Sequence, residues 1–156
     1  MAVGNTFGAT ALSSFGGFWL AFAIVLTPGG FAIVSTLEEE GGVTAFHDSF
    51  SFFLFGWFIF TFLLLICTLK STVAFFSLFF TLDLAFLFLA LAYLYDTPEG
   101  KPHHGLTIAG GVFGMLAAFL AWYNALAGLA DSSNRYALPS FTLLLLARSR
   151  PCLLVG

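Results

Sequence analysis

The stretch "TLKSTVAFFSLFFTLDLAFLFLALAY", residues 68–93, decides the fold. From Thr72 onward it contains a single charged residue, Asp83, in more than twenty positions. A helix needs about 20 apolar residues to cross the hydrocarbon core of a bilayer. The polar triplet Lys70, Ser71 and Thr72 precedes the apolar run and is typical of a turn between two spans. The stretch therefore predicts a membrane-spanning helix that follows directly on another one.

The composition of the whole chain agrees with this prediction. The 156 residues are 60% hydrophobic and 8% charged, with a mean hydropathy of +1.00, whereas soluble domains carry about 25% charged residues. A chain with so few charges cannot cover a water-exposed surface, so we expect an all-α integral membrane protein that has the lipid bilayer as a partner. The sequence has no cluster of Lys and Arg that could follow phosphates, which argues against a nucleic-acid partner.

The hydrophobic pattern predicts four spans, each ended by helix-breaking or turn-forming residues. They are residues 6–26, 49–69, 72–95 and 106–130. The longest connection, residues 27–48, is expected to hold a short surface helix around Phe31–Leu37.

The basic residues predict how the spans are oriented. With four spans, both termini lie on one side of the membrane, together with Lys70, Arg135, Arg148 and Arg150. On the opposite side Lys101 is the only basic residue, and the other charged residues there are acidic. The positive-inside rule therefore predicts that the termini and the Lys70 turn are cytoplasmic.

The sequence offers little to an enzyme or a metal protein. Its two cysteines, Cys67 and Cys152, are far apart, and His103 and His104 are adjacent in a loop without the spacing of metal ligands. No nucleophile–base pair or glycine-rich phosphate loop is present. We therefore expect no enzymatic activity, no cofactor and no metal site.

The first span is unusual because small and polar residues crowd its beginning, "GNTFGATALSSFGGFW", residues 4–19. Gly4 and Gly8, like Gly110, Gly114 and Ala118 in the last span, have the spacing of a helix-packing surface. Asn5, Thr6, Thr10 and Ser13 lie along one helix face, and two interpretations stay open for them. Their hydroxyls can bond carbonyls of the preceding turn, or the face can border a wet path for a small anion near a helix N-terminus.

Asp83 is the second unusual feature because a lone carboxylate inside a span is costly and often functional. One interpretation makes it a proton carrier. The other makes it a hydrogen-bonded tie between helices, for example through Tyr123 or Asn124.

Three stretches carry a resemblance to a known family: "GNTFGATALSSFGGFWLAFAI" (4–24), residues 68–93, and "AGGVFGMLAAFLAWYNALAGL" (109–129). They closely resemble the third helix, the fourth-to-fifth helix passage and the sixth helix of the acetate uptake transporter family. That resemblance implies a six-helix bundle, a homo-oligomer of the hexameric type, and proton-coupled transport of acetate and related short monocarboxylates. It also implies site residues. Phe15, where the family usually has Tyr, and Leu82 belong to a hydrophobic constriction; Ala121 influences substrate size; Asn5 and Thr6 lie near the carboxylate path.

The resemblance also predicts how the chain is organised. Residues 1–139 form a partial transporter domain that lacks the family's first two helices, and residues 140–156 form an unrelated tail. A truncated gene with an altered 3′ end accounts for both departures, and a shortened paralogue is the alternative.

The leading functional prediction is transport of short monocarboxylates through the constriction, in the plasma membrane. The first alternative is a non-transporting fragment that associates with full-length subunits. A lesser alternative, ammonium export, follows from the family's history.

Overall fold

All regular secondary structure in the described residues is helical. The computed structural model describes residues 6–28, 30–97 and 99–129. Its helices are α1 (Thr6–Leu26), α2 (Ile33–Cys67), α3 (Val73–Leu94) and α4 (His104–Leu129), with a short 3₁₀ turn at Thr68–Lys70 between α2 and α3. These four helices are long and apolar enough to cross a membrane. The prediction of an all-α membrane protein is thereby confirmed.

The predicted bounds of three spans agree with α1, α3 and α4 to within about two residues. The start of α3 illustrates why: Thr72 has an extended backbone, and its Oγ1 accepts a hydrogen bond from Phe75 N at 3.3 Å. This is an N-cap, which satisfies an amide that the helix itself leaves free.

The second span begins earlier than predicted. α2 is a stretch of 35 residues made of two helical segments: a short one before Gly42, where a short surface helix was predicted, and a long one after it, which contains the predicted span. The stretch is interrupted by a kink at Gly42, whose φ of 75° and ψ of 177° are not helical. Only glycine adopts such a backbone without strain. The short helix therefore meets the long one at the kink, and the 25 residues after Gly42 form a helix of about 37 Å at 1.5 Å per residue, enough to cross the hydrocarbon core.

α3 lies at the centre of the described bundle, with α2 on one side and α4 on the other. Ser51 Oγ of α2 donates to Ala90 O of α3 at 2.9 Å. Asn124 Nδ2 of α4 donates to Ala74 O of α3 at 3.2 Å. In both bonds, a residue nearer the start of one helix meets a residue near the end of its neighbour. α2 and α4 therefore each run opposite to α3. α1 runs parallel to α3, because Phe7 near the start of α1 lies beside Phe75 near the start of α3, with ring centroids 5.8 Å apart.

Phenylalanine rings fill the contact between α1, α2 and α3. Phe18 of α1 is 3% exposed. Its ring lies 5.0 Å from Trp57, 5.1 Å from Phe86 and 5.8 Å from Phe53, measured between centroids. The pairs with Trp57 and Phe86 are edge-to-face and the pair with Phe53 is stacked, and ring pairs of both kinds stabilise a core beyond the area that they bury. Large side chains thus hold α1 in place although its backbone stays farther from α3 than the backbones of α2 and α4 do.

Gly110 allows α4 to approach α3 closely. A Cβ atom added to Gly110 would lie 2.7 Å from Leu89 Cγ, whereas at Gly16, Gly17 and Gly114 it would have no neighbour within 4 Å. Of the two glycines of the last span for which a packing role was predicted, Gly110 therefore makes a close contact and Gly114 does not.

Candidate functional site

An open cleft of about 880 Å³ lies between α1, α3, α4 and the 3₁₀ turn. It lies at the end of the bundle where α1 and α3 begin, beside the Lys70 turn. The lining residues are Phe7, Gly8, Ala11, Leu12, Phe15, Cys67, Thr68, Ser71, Thr72, Phe75, Leu78, Phe79, Leu82, Ala121, Asn124 and Gly128. Three residues that the resemblance places in the substrate path, Phe15, Leu82 and Ala121, therefore border one space.

Phe15 and Leu82 lie at the inner end of the cleft. The ring of Phe15 is 5.9 Å from Trp57, 6.1 Å from Phe60 and 6.3 Å from Phe79, and it stacks on Phe86 at 6.5 Å with an interplanar angle of 4°. Phe15 also contacts both buried hydrophobic clusters of the bundle. The cleft therefore narrows against a wall of rings that is held in place from several sides.

The polar groups of the cleft lie at its outer end. They are the hydroxyls of Thr68, Ser71 and Thr72 and the amide of Asn124. Thr68 Oγ1 donates to Leu65 O at 2.7 Å. Thr72 Oγ1 is already an acceptor for the amide of Phe75. One end of the cleft thus offers hydrogen bonds and the other offers only carbon.

Asn124 connects this polar end to the packing of α3 and α4. Its Nδ2 donates to Ala74 O at 3.2 Å and to Leu120 O at 2.7 Å. These two bonds use both hydrogens of the side-chain amide. The sequence suggested Asn124 only as a partner for Asp83, but it bonds to Leu120 O of its own helix and to Ala74 O, which lies about two and a half helical turns from Asp83 on α3.

The predicted polar face of α1 does not border the cleft. Thr6, Thr10 and Ser13 are exposed, while the residues of α1 that line the cleft lie on the other side of the helix. Ser13 Oγ donates to Ala9 O at 2.7 Å, so the interpretation as a bond within the helix holds for this serine. Asn5, the other predicted residue of the carboxylate path, lies outside the described residues.

Asp83 is buried at 6% exposure and does not line the cleft. Its Oδ1 has no hydrogen-bond partner in the part of the chain that the structure describes, and neither has the Oγ1 of Thr61 on α2. Thr61 was not singled out from the sequence because a threonine in an apolar span gives no sign of its burial. The predicted tie from Asp83 to Asn124 is not formed.

A second polar contact missed by the sequence analysis joins α2 to the end of α3. His47 is 5% exposed, its Nδ1 lies 3.2 Å from Asp96 Oδ2, and its ring is T-shaped against Tyr93 at 5.3 Å. The contact lies at the end of α3 opposite to the cleft. His47 lies in the segment that was interpreted as a loop, so its burial gave no local signal.

Metal ligands are not clustered in the described residues: no group of three His, Cys, Asp or Glu side chains could hold an ion there. His103 instead lies at the start of α4, where its Nδ1 accepts from Leu106 N at 3.4 Å and its backbone N donates to Ala92 O at 2.8 Å. The exposed His103 is thus part of the loop that joins α3 and α4, as the sequence indicated.

The family model described as the GPR1/FUN34/yaaH family matches residues 1–144. The match agrees with the resemblance drawn from the three sequence stretches, and it reaches slightly beyond the predicted domain boundary at Pro139. No solved structure matches the chain.

Relatives with assigned names agree with the family model. The chain is 65% identical over 137 residues to Acetate permease A of Emericella nidulans, covering 87% of this chain and 46% of that protein. It is 46% identical over 136 residues to Ammonia transport outward protein 2 of Saccharomyces cerevisiae, covering 87% and 45%. It is 27% identical over 121 residues to Acetate transporter protein patA of Aspergillus clavatus, covering 77% and 48%. The chain spans about half the length of the relatives it matches.

Proposed function

Because the chain belongs to the GPR1/FUN34/yaaH family, we propose that it takes part in the transmembrane transport of acetate and related short monocarboxylates. The observation that carries the proposal is the cleft, because it brings Phe15, Leu82 and Ala121 to one space in a chain that is 65% identical to an acetate permease. These three residues lie far apart in the sequence, and the packing of α1, α3 and α4 brings them together.

The shape of the cleft suits a small acid with one apolar end. The rings around Phe15 and the side chain of Leu82 form an apolar wall that accepts a methyl group and resists wetting. The hydroxyls of Ser71 and Thr72 lie at the other end, where a carboxyl group can bond. Ala121 leaves room beside this path, and a larger side chain there would narrow it. Thr6 and Asn5 stay proposed members of the path, although the described Thr6 does not line the cleft.

We further propose a proton-coupled, homo-oligomeric assembly of the hexameric type in the plasma membrane, with cytoplasmic termini. In that orientation the described cleft opens towards the cytoplasm. Two groups can carry the coupled proton. One is Asp83, a buried carboxyl with an unpaired oxygen; the other is the substrate itself.

The direct test is uptake of radiolabelled acetate by cells that lack their own acetate carriers and express this 156-residue chain. Surface expression is verified, and Phe15→Ala and Leu82→Ala variants are measured alongside. We expect a saturable component that both variants change. Good expression without saturable uptake would contradict the proposal.

The uptake assay also separates the two alternatives. A non-transporting fragment would give no uptake alone, yet would co-purify with a full-length relative expressed in the same cells. Ammonium export has the name of one relative in its favour, and it predicts release of ammonium that acetate does not inhibit.

A further inference from the structure

We infer that the cleft takes the carboxylic acid in its neutral, protonated form, so that the substrate carries its own proton past Phe15 and Leu82. This inference rests on the proposed function and specifies the charge state of the substrate in the same cleft. It removes the need for a carboxylate of the protein to deliver the proton.

The first observation is the absence of a counter-charge in the wall. No Lys, Arg or His is found among the described residues that line the cleft, and none is acidic. The nearest charged residues in the sequence, Lys70 and Asp83, are next to Ser71 and Leu82, but neither lines the cleft. An ionised carboxylate that enters an apolar wall loses its hydration and gains no opposite charge. The neutral acid loses far less.

The second observation concerns what Asn124 can offer to a ligand. Both hydrogens of its side-chain amide are donated to the carbonyls of Ala74 and Leu120. What remains is the oxygen Oδ1, which can only accept. A carboxylate is also acceptor-only, so the two groups cannot bond, whereas a protonated carboxyl has an O–H to donate.

The third observation is that donors are available for the other oxygen of the acid. Ser71 and Thr72 place hydroxyls in the same end of the cleft. Because Thr72 Oγ1 accepts from the amide of Phe75, its hydrogen is directed elsewhere and can be donated. An acceptor at Asn124 together with donors at Ser71 and Thr72 matches the carbonyl and hydroxyl of one neutral carboxyl group.

Helix termini argue in the opposite direction but carry less weight. α1 and α3 both begin at this end of the cleft, and the positive end of a helix dipole attracts anions. In α3, however, the amide of Phe75 is bonded to Thr72, and Val73 and Ala74 do not line the cleft. The attraction of a helix end is much smaller than the cost of an unpaired charge in an apolar wall.

Cys67 allows a test that measures binding rather than flux, which is an advantage because neutral acids also cross lipid unaided. Cys67 is exposed and lines the cleft, and Cys152 is the only other cysteine of the chain. In the Cys152→Ser chain, the rate at which Cys67 reacts with a neutral pyridyl disulfide is measured with and without three ligands. Acetate titrates with pH, acetamide is neutral throughout, and methanesulfonate is an anion throughout.

We expect acetamide to slow the reaction at every pH and methanesulfonate to leave it unchanged. The acetate concentration for half-protection should rise about tenfold for each pH unit above the pKa of acetic acid. Protection by methanesulfonate, or acetate protection that strengthens as pH rises, would overturn the neutral form and leave the proposed function intact. Failure of all three ligands to protect Cys67 would overturn both.

Two variants test the polar end of the cleft. Asn124→Ala removes the acceptor and should weaken protection by acetamide at least threefold. Ser71→Ala removes a donor without touching the Asn124 bonds, and it keeps the test valid if Asn124→Ala fails to fold. Ser77→Ala, on α3 but outside the lining, is the matched control. In this variant acetamide should protect Cys67 as it does in the unaltered chain. Unchanged protection in both test variants would contradict the assigned bonding pattern.

Discussion

At the scale of single residues, function in this chain depends on which side of a helix a side chain occupies. Phe15 and Thr6 belong to the same helix, yet Phe15 lines the cleft and Thr6 is exposed. In a water-soluble helix the apolar residues mark the buried face. In a membrane helix both lipid and the core are apolar, so hydropathy does not tell the two faces apart.

Leu82 lines the cleft, and if it belongs to the proposed constriction, shortening it should change the substrate range. In the Leu82→Ala variant we expect propionate and butyrate to compete with labelled acetate relatively better than they do in the unaltered chain. The change should be roughly tenfold for one added methylene, the scale of discrimination by an apolar pocket. Leu87→Ala, on the same helix but outside the cleft lining, is the control. An unaltered order of competitors would remove Leu82 from the constriction.

Asp83 distinguishes the two ways of carrying a proton. Asn has the same shape as Asp and does not titrate, so Asp83→Asn should leave the packing around the unpaired oxygen nearly unchanged. If the substrate carries the proton, the pH dependence of acetate protection at Cys67 should be the same in this variant. A protection curve that no longer depends on pH would instead assign the proton to Asp83 and contradict our inference.

At the scale of helices, Gly110 of α4 lies close to the backbone of α3 at Leu89. A Cβ atom at Gly110 would lie 2.7 Å from Leu89 Cγ, 2.9 Å from Leu89 Cδ2 and 3.3 Å from Leu89 N. The first two atoms belong to a side chain that can move, but the third is backbone. This contact fixes α4, and with it Ala121 and Asn124, against α3.

Gly110→Ala should therefore lower the free energy of unfolding, by about 1–3 kcal/mol if overpacking here resembles that of other cores. Gly111→Ala is a matched control because a Cβ atom there meets nothing within 4 Å. It should be neutral or stabilise by up to about 1 kcal/mol through helix propensity. Thermal unfolding in detergent measures both. Equal stability of the two variants would contradict the close approach of α3 and α4.

The helices also show what the sequence could and could not predict. The ends of α3 were predictable because Thr72 caps the helix and Asp96 and Thr97 follow it. The course of α2 was predicted less well, because the residues between the expected short helix at Phe31–Leu37 and Ser49 were interpreted as a connection, whereas they are helical on both sides of the kink at Gly42. The burial of His47 depends on Asp96 and Tyr93. Both residues lie far from His47 in the sequence. Only the packed structure brings such partners together.

At the scale of the whole molecule, large apolar side chains of α1 and α4 stay exposed in the described structure, including Leu12 at 78% and Trp122 at 69%. Lipid can cover such faces, and so can other helices of an assembly. The chain spans about half the length of its relatives, and the cleft opens between α1 and α4. Under the proposed function, the cleft would be one part of the transport path, and its position would place one end of that path relative to the membrane.

The orientation of the chain then decides which solution the cleft faces. It lies beside the Lys70 turn, and the excess of basic residues on that side predicts that Lys70 is cytoplasmic and Lys101 is outside. Both lysines are exposed, so each can be replaced by cysteine in a chain that carries Cys67→Ser and Cys152→Ser. In intact cells, a membrane-impermeant maleimide should label Lys101→Cys and should label Lys70→Cys only after permeabilisation. The opposite pattern would place the polar end of the cleft outside the cell. Substrate would then meet Ser71 and Asn124 before it reaches Phe15, and the proton would be taken up with the acid at the outer surface rather than released at the inner one.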